Sequence, residues 1–255
     1  MEGETMVKET RVQRKKRRLQ LYRRLVLIIV VVGLSIFWSL RTSLLDIKKI
    51  TVEGNTKLTS QEIIDASGIV VGENIIQANV GDGGEAVTEL PYIETADIGR
   101  KLPGTVTIQV QERSPYMQFS YNYSFAVVDD KGVVLEYSIR RNNEIPLVKG
   151  FDWVDLKVGE DLTETPIGET MNEFFNDLEI RDIVLNFKDI EYDEENNIKI
   201  TLFNGVAVEF GPLHNVKYKL KVLQEIIGDL EEKNIPTKMI IMNKGEHPIV
   251  VRDEK

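Results

Sequence analysis

The 255-residue sequence predicts an α+β protein: one transmembrane helix, then a small β-α-α-β-β domain, then a second β-rich domain of mixed sheet with helices. Three observations carry this expectation. An uncharged apolar run occupies residues 25–40, directly behind a basic head. Strand, cap and turn signals follow one another at short intervals over residues 46–111. Further strands, a hairpin turn and two amphipathic helices fill the remainder.

The apolar run reads LVLIIVVVGLSIFWSL, sixteen residues without a charge. At ~1.5 Å rise per residue it spans about 24 Å, short of a ~30 Å hydrocarbon core. Leu21 and Tyr22 close that gap if Arg23 and Arg24 snorkel to the headgroups. Trp38 stands near the outer end, where interfacial aromatics collect. A cleaved signal peptide needs a small-residue cleavage site, but Arg-Thr-Ser-Leu-Leu follows. Lys and Arg stay in the cytoplasm, which places the N-terminus inside and residues 42–255 outside.

Charge is divided unevenly. The first 40 residues hold nine basic and three acidic residues, which leaves 23 basic against 38 acidic and a net charge of −15 for the remainder. A region that acidic repels nucleic acid, whose phosphates need a basic face. The chain has no cysteine. That excludes a disulfide-stapled scaffold, a thiolate nucleophile and Cys-ligated metal.

Along the chain, residues 46–53 read as a short strand with Ile50 and Val52 on one face, and Gly54-Asn55 turns it. Thr59 and Glu62 are spaced as a capping box, with Leu58 and Ile63 placed for a hydrophobic staple. Gly68 is the C-cap. Gly81-Asp82-Gly83-Gly84 reads as a flexible loop before a second short helix over residues 85–90. A strand over 92–98, a Leu102-Pro103-Gly104 turn and an alternating Val106, Ile108, Val110 strand complete the unit.

Downstream, residues 126–135 form a hairpin around an Asp-x-Gly turn, and residues 144–150 hold another strand. A helix starts near Thr165 with Pro166 in its first turn, and Ile167, Met171, Phe174 and Leu178 share one face. Asn204-Gly205 joins strands 198–202 and 206–210. A helix over 215–233 carries Val216, Leu220, Leu223, Ile227 and Leu230 as its buried stripe. Residues 239–242 and 249–252 are the last strands.

Four blocks of the first unit form a recognisable set. They are Glu53-Gly54-Asn55, Pro91-Tyr92-Ile93-Glu94-Thr95-Ala96, Arg100-Lys101-Leu102-Pro103-Gly104-Thr105 and Gln111-Glu112-Arg113-Ser114-Pro115. Together they resemble a POTRA domain. One such domain directly after one membrane anchor resembles the FtsQ/DivIB family of bacterial cell-division proteins. The Glu144-Ile145-Pro146-Leu147-Val148-Lys149-Gly150 strand and the helix after Gly211 resemble that family's second, β-rich domain. Phe210 stands where the family usually has leucine, and Ile240-Ile241-Met242-Asn243 departs from its acidic, arginine-bearing pattern. The resemblance implies five segments: a basic cytoplasmic tail (1–24), a transmembrane helix (25–41), a POTRA-like domain (42–113), a β-domain (114–237) and a partner-binding C-terminal segment (238–255).

Catalytic constellations do not emerge. His214 and His247 are the only histidines and fit no metalloprotease spacing. Neither G-x-S-x-G nor S-x-x-K occurs. The glycine-rich 81–84 segment lacks the lysine of a P-loop. Asp129-Asp130 and Asp193-Glu194-Glu195 do not match a Ca²⁺ loop and read as solvated turns. The sequence therefore assigns no catalytic, cofactor-binding or metal residues, and no small-molecule substrate.

Function is expected at exposed strand edges, where unpaired N–H and C=O groups either need protection or invite a partner strand. The family resemblance implies partners of the FtsB/DivIC and FtsL type, membrane division proteins held at the septum. Residues 21–41 add a contact with the lipid bilayer. The expected partner-binding residues are Met242, Lys244, His247, Ile249, Val250, Val251 and Arg252. In the POTRA-like unit the docking edge falls on Ile50 and Val52 or on Val106 and Ile108. Deleting residues 238–255 is expected to abolish binding with most of the fold intact, and Lys219→Glu to perturb the membrane-distal face with little effect on topology. Two other readings compete: a POTRA-type receptor or secretion component, and a cell-wall enzyme.

Overall fold

A computed structural model describes residues 11–39, 43–151, 155–175, 177–193, 197–244 and 247–253. Helix α1 runs Arg11–Ser39. Its large apolar side chains from residue 25 to residue 34 are all exposed. The side chains of 35–39, including Trp38, and residues 40–42 lie outside the described residues. Among the described residues no helix is long and apolar enough to cross a membrane.

Packing divides the chain into two compact units. The first comprises Met1–Glu53, Ser60–Gly84 and Asp97–Gln109, the second Gly54–Thr59, Glu85–Ala96 and Val110–Lys255. Strands β1 (Lys49–Glu53), β2 (Ile93–Lys101) and β3 (Thr105–Glu112) form a sheet in the order β1-β3-β2, with β1 parallel to β3. Helices α2 (Ser60–Ser67) and α3 (Val80–Thr88) come between β1 and β2 in the chain. The first unit buries Ile47, Ile63, Ile69, Ile75, Ile98, Val106 and Ile108. Gly68 adopts φ +65° and ends α2, as its C-cap position requires.

The glycine-rich segment is not a loop. Gly81, Asp82, Gly83 and Gly84 form the first half of α3. A Cβ on Gly83 would lie 2.8 Å from the carbonyl oxygen of Ser67 and 3.4 Å from Ile98 Cδ1. Glycine here permits close approach of helix to helix, a use that composition alone does not separate from flexibility.

The second unit contains nine further strands: β4 (Met117–Tyr121), β5 (Ser124–Val128), β6 (Val134–Ser138), β7 (Leu147–Lys149), β8 (Phe187–Tyr192), β9 (Asn197–Leu202), β10 (Ala207–Pro212), β11 (Thr237–Ile241) and β12 (Ile249–Arg252). They form one mixed sheet in the order β12-β11-β10-β9-β8-β7-β4-β5-β6. Three helices, α4 (Pro166–Met171), α5 (Leu178–Val184) and α6 (Val216–Glu232), belong to the same unit. Its core gathers Tyr116, Phe119, Phe174, Phe187, Phe210 and Ile240 with Leu220 and Leu223 of α6. Ile227 and Leu230 continue that stripe half-buried.

Two expectations change here. Thr165 caps α4 and Pro166 opens it, but the helix ends at Met171. The Asp177 carboxylate then caps a new helix by accepting from Glu179 and Ile180 N–H. Leu178 is therefore a first-turn residue of α5 and is 74% exposed, whereas Ile167, Met171 and Phe174 are buried. Asp129 is not a solvated turn residue either. It is buried, accepts from the backbone of Lys131 and Val133, and pairs with the Arg113 guanidinium at 2.7 Å. Residues 194–196 lie outside the described residues.

The Gln111-Glu112-Arg113 block has a local purpose. The Glu112 carboxylate accepts from the N–H groups of Thr56, Lys57 and Leu58 and from the Thr56 hydroxyl. Partial burial alone would raise its pKa, but the backbone bonds from Lys57, Leu58 and Thr56, with the Thr56 hydroxyl, outweigh that and hold it below the usual range. Arg113 N–H meanwhile donates to Tyr92 O. Leu58 packs with Tyr92, Val127, Leu135 and Ile145.

Candidate protein-binding edge

Strand β11 pairs parallel with β10, and β12 closes the sheet as its antiparallel neighbour. The register sets Ile241 opposite Ile249, Ile240 opposite Val250 and Met239 opposite Val251. Beyond β11, Met242 N–H donates to Glu209 O, and Asp253 N–H donates to Pro236 O at the other end. Side chains alternate faces along a strand. Ile240 enters the core, so Val250 lies on the core face. Met239, Ile241, Ile249 and Val251 share the opposite face. Ile249 is 49% and Val251 37% exposed.

Among the described residues no strand covers the outer side of β12. At the opposite end of the sheet the start of β6 is covered. There Val134 of β6 donates to Glu160 O, Gly159 donates to Val134 O, and Val133 bridges Asp161. Lys238, Lys244 and Arg252 are exposed around β11 and β12, with Asp253 beside them. The edge is thus apolar along its strand and largely cationic at its margins.

The expected partner-binding residues fall into distinct places. Ile249, Val250, Val251 and Arg252 form β12 itself. Met242 is half-buried against the main core. Lys244 and His247 are exposed in the connection, whose residues 245–246 lie outside the description. Met239 and Ile241, which share the exposed face of Ile249 and Val251, were not among the expected residues. Their signal was the unbroken apolar run of residues 239–242, which makes both faces of β11 apolar.

Two corrections concern the edges. Val106 and Ile108 lie in β3, the central strand of the three-stranded sheet, and are fully buried. They offer no docking edge; Ile50 and Val52 lie on β1, which is an edge, and are half-buried. A deletion of 238–255 would also remove β11 and with it Ile240, a core side chain. A cut that tests the edge alone falls after His247.

Lys219 is not a plain surface residue. Its Nζ donates to Pro212 O at 2.9 Å and Phe210 O at 3.3 Å and sits over the Phe210 ring. Burial lowers its pKa. His214 is exposed. Among the described residues no group of three His, Cys, Asp or Glu side chains is placed to hold a metal ion.

Residues 45–113 match a family described as the POTRA domain, FtsQ-type, and residues 116–241 match one described as cell division protein FtsQ/DivIB, C-terminal. A Clostridium acetobutylicum protein named cell division protein DivIB is 31% identical over 186 residues, covering 71% of this chain and 73% of that one. The chain belongs to the FtsQ/DivIB family. A Clostridium botulinum protein named cell division protein DivIB is 26% identical over 92% of this chain and 93% of its own. A Corynebacterium glutamicum protein named cell division protein FtsQ is 30% identical over 89 residues, 35% of this chain and 40% of its own. The FtsQ/DivIB C-terminal match ends at the last residue of β11, so β12 lies beyond it.

Proposed function

We propose that this chain is a non-enzymatic scaffold of the bacterial division machinery. Taken with the uncharged residues 35–40 of the sequence, the apolar stretch of α1 anchors it in the cell membrane with the basic tail in the cytoplasm. The β12 edge takes up a strand from a membrane division protein of the FtsB/DivIC or FtsL type. The observation that carries this reading is a sheet of nine strands whose last strand, β12, is uncovered among the described residues and carries apolar side chains on both faces. Backbone pairing supplies affinity in such strand addition, and the alternate side chains supply choice of partner. Tethering both proteins in one membrane raises their effective concentration, so a short strand suffices. Family membership and relatives named for cell division support the setting. The exposed, uncharged side chains of α1 over residues 25–34 support the anchor, because such a surface is stable in hydrocarbon and not in water.

The test is the position of a copy tagged at its cytoplasmic N-terminus in dividing cells. A midcell band that arises with septation is expected. Uniform membrane signal through the whole cycle counts against a division scaffold.

A further inference from the structure

Five exposed apolar side chains gather at one end of the first unit, close to where the chain leaves α1. Leu44 is 65% exposed, Val70 62%, Val71 59%, Ile76 47% and Leu102 64%. Backbone bonds bring them together. Gly72 N–H donates to Ile47 O, Ile47 N–H to Glu73 O and Ile75 N–H to Leu45 O, each at 2.8 Å. The 70–76 segment therefore lies along residues 45–47. The tip carrying Leu102 is tied to the same place, because Gly104 O accepts from Lys48 and Lys49 N–H.

Charge separates this end from the rest of the chain. Lys48, Lys49, Arg100 and Lys101 are exposed in these segments, against Asp46 and Glu73. The chain beyond residue 40 carries −15 overall, so a cationic end is a local exception. Position then selects the occupant. Leu44 is five residues past the last described residue of α1. At ~3.3–3.6 Å per residue that is at most about 18 Å of chain.

We propose that this apolar and basic end seats the first unit on the anionic headgroup surface of the bilayer that α1 enters. The proposal rests on the anchoring reading above. The apolar side chains enter the headgroup boundary, and the lysines face the lipid phosphates. Docking fixes the height of the first unit above the membrane.

The chain has no native cysteine, so single labels are unambiguous. Full-length Leu44→Cys, Val71→Cys and Leu102→Cys variants are spin-labelled in nanodiscs of phosphatidylglycerol with phosphatidylcholine, or of phosphatidylcholine alone. Collision with lipid-soluble oxygen is compared with collision with a water-soluble nickel complex. Ile29→Cys in α1 and Ile139→Cys, at an 84% exposed position, set the two limits. In anionic discs the three labels are expected between those limits. In neutral discs, or with Lys48→Glu, Lys49→Glu and Lys101→Glu combined, they move toward the Ile139 value. Each lysine near the surface is worth about a fivefold change in the docked-to-undocked ratio. Water-like values at all three positions in anionic discs, with Ile29 lipid-like, overturn the proposal and leave the anchor standing. Protection that appears only on adding another protein overturns it too, and marks a protein interface. A water-like Ile29 overturns both.

Discussion

Glu112→Ala is expected to destabilise the second unit by about 2–3 kcal/mol. The carboxylate accepts four hydrogen bonds within 2.6–2.9 Å, three of them from consecutive backbone N–H groups. Fully buried charge-assisted bonds contribute ~1.5–3 kcal/mol each. Three of these four are exposed, so water replaces much of what is lost and the sum is cut by more than half. Glu112→Gln makes a finer test. Its single carbonyl oxygen can take the place of Oε2 and keep three donors. Its amide then faces Leu58 N–H, donor against donor. The expected loss is about 1–2 kcal/mol, smaller than for alanine. For domains of this size 1 kcal/mol moves Tm by about 2–4 °C, so calorimetry should read a fall of about 4–12 °C for Glu112→Ala. An Ala variant within 1 °C of the parent, or a Gln variant worse than the Ala variant, would refute the reasoning.

Other expectations follow from the same geometry. Protonating Glu112 should have the same effect as replacing it. Its folded-state pKa is depressed, so its contribution is complete above the ordinary value of 4.5 and fades as pH falls through the lower folded value; the stability gap between parent and Glu112→Gln, measured by urea titration, should narrow only below 4.5. Gly83→Ala gains about 1 kcal/mol of helix propensity but drives a Cβ to 2.8 Å from Ser67 O. Overpacking at about 1–3 kcal/mol wins, whereas Gly81→Ala meets nothing closer than 3.9 Å and should be neutral or stabilising in thermal melts. Lys219→Glu sets a carboxylate against the Phe210 and Pro212 carbonyls and should lower the urea midpoint by an amount equivalent to about 1–3 kcal/mol, with Lys219→Met milder.

Much of the fold was legible because local chemistry and tertiary role agree. Thr165-Pro166, Asn204-Gly205, Gly68 and the α6 stripe all act in the structure as their sequence signals imply. The failures have physical causes. β8 hid because a bulge between Phe187 and Asp189 breaks the alternation, leaving Phe187 and Ile190 buried three apart. β4 hid because Met117, Gln118 and Phe119 are all buried, which erases a period of two. Leu178 was misplaced because a helical period continued on paper across the break that Asp177 caps. Glycines 81–84 were read by composition, whereas a close approach to Ser67 explains the one at 83. At the candidate edge, β12 stood out as an apolar triplet near the chain end. The role of Lys219 depended on how its ammonium meets the Phe210 and Pro212 carbonyls, and the central place of Val106 and Ile108 on sheet order, which spacing does not encode.

The uncovered β12 edge is the centre of the account, and truncation tests it most directly. The full chain is compared with one ending at His247, which keeps β11 and Ile240 and removes only β12 and the tail. Both are co-reconstituted in nanodiscs with a purified DivIC-type protein, and binding is titrated alongside thermal unfolding. Loss of binding by the truncated chain, with its melting transition still cooperative, is the expected result. Undiminished binding by a truncated chain that remains folded would contradict the account and move the partner site away from β12.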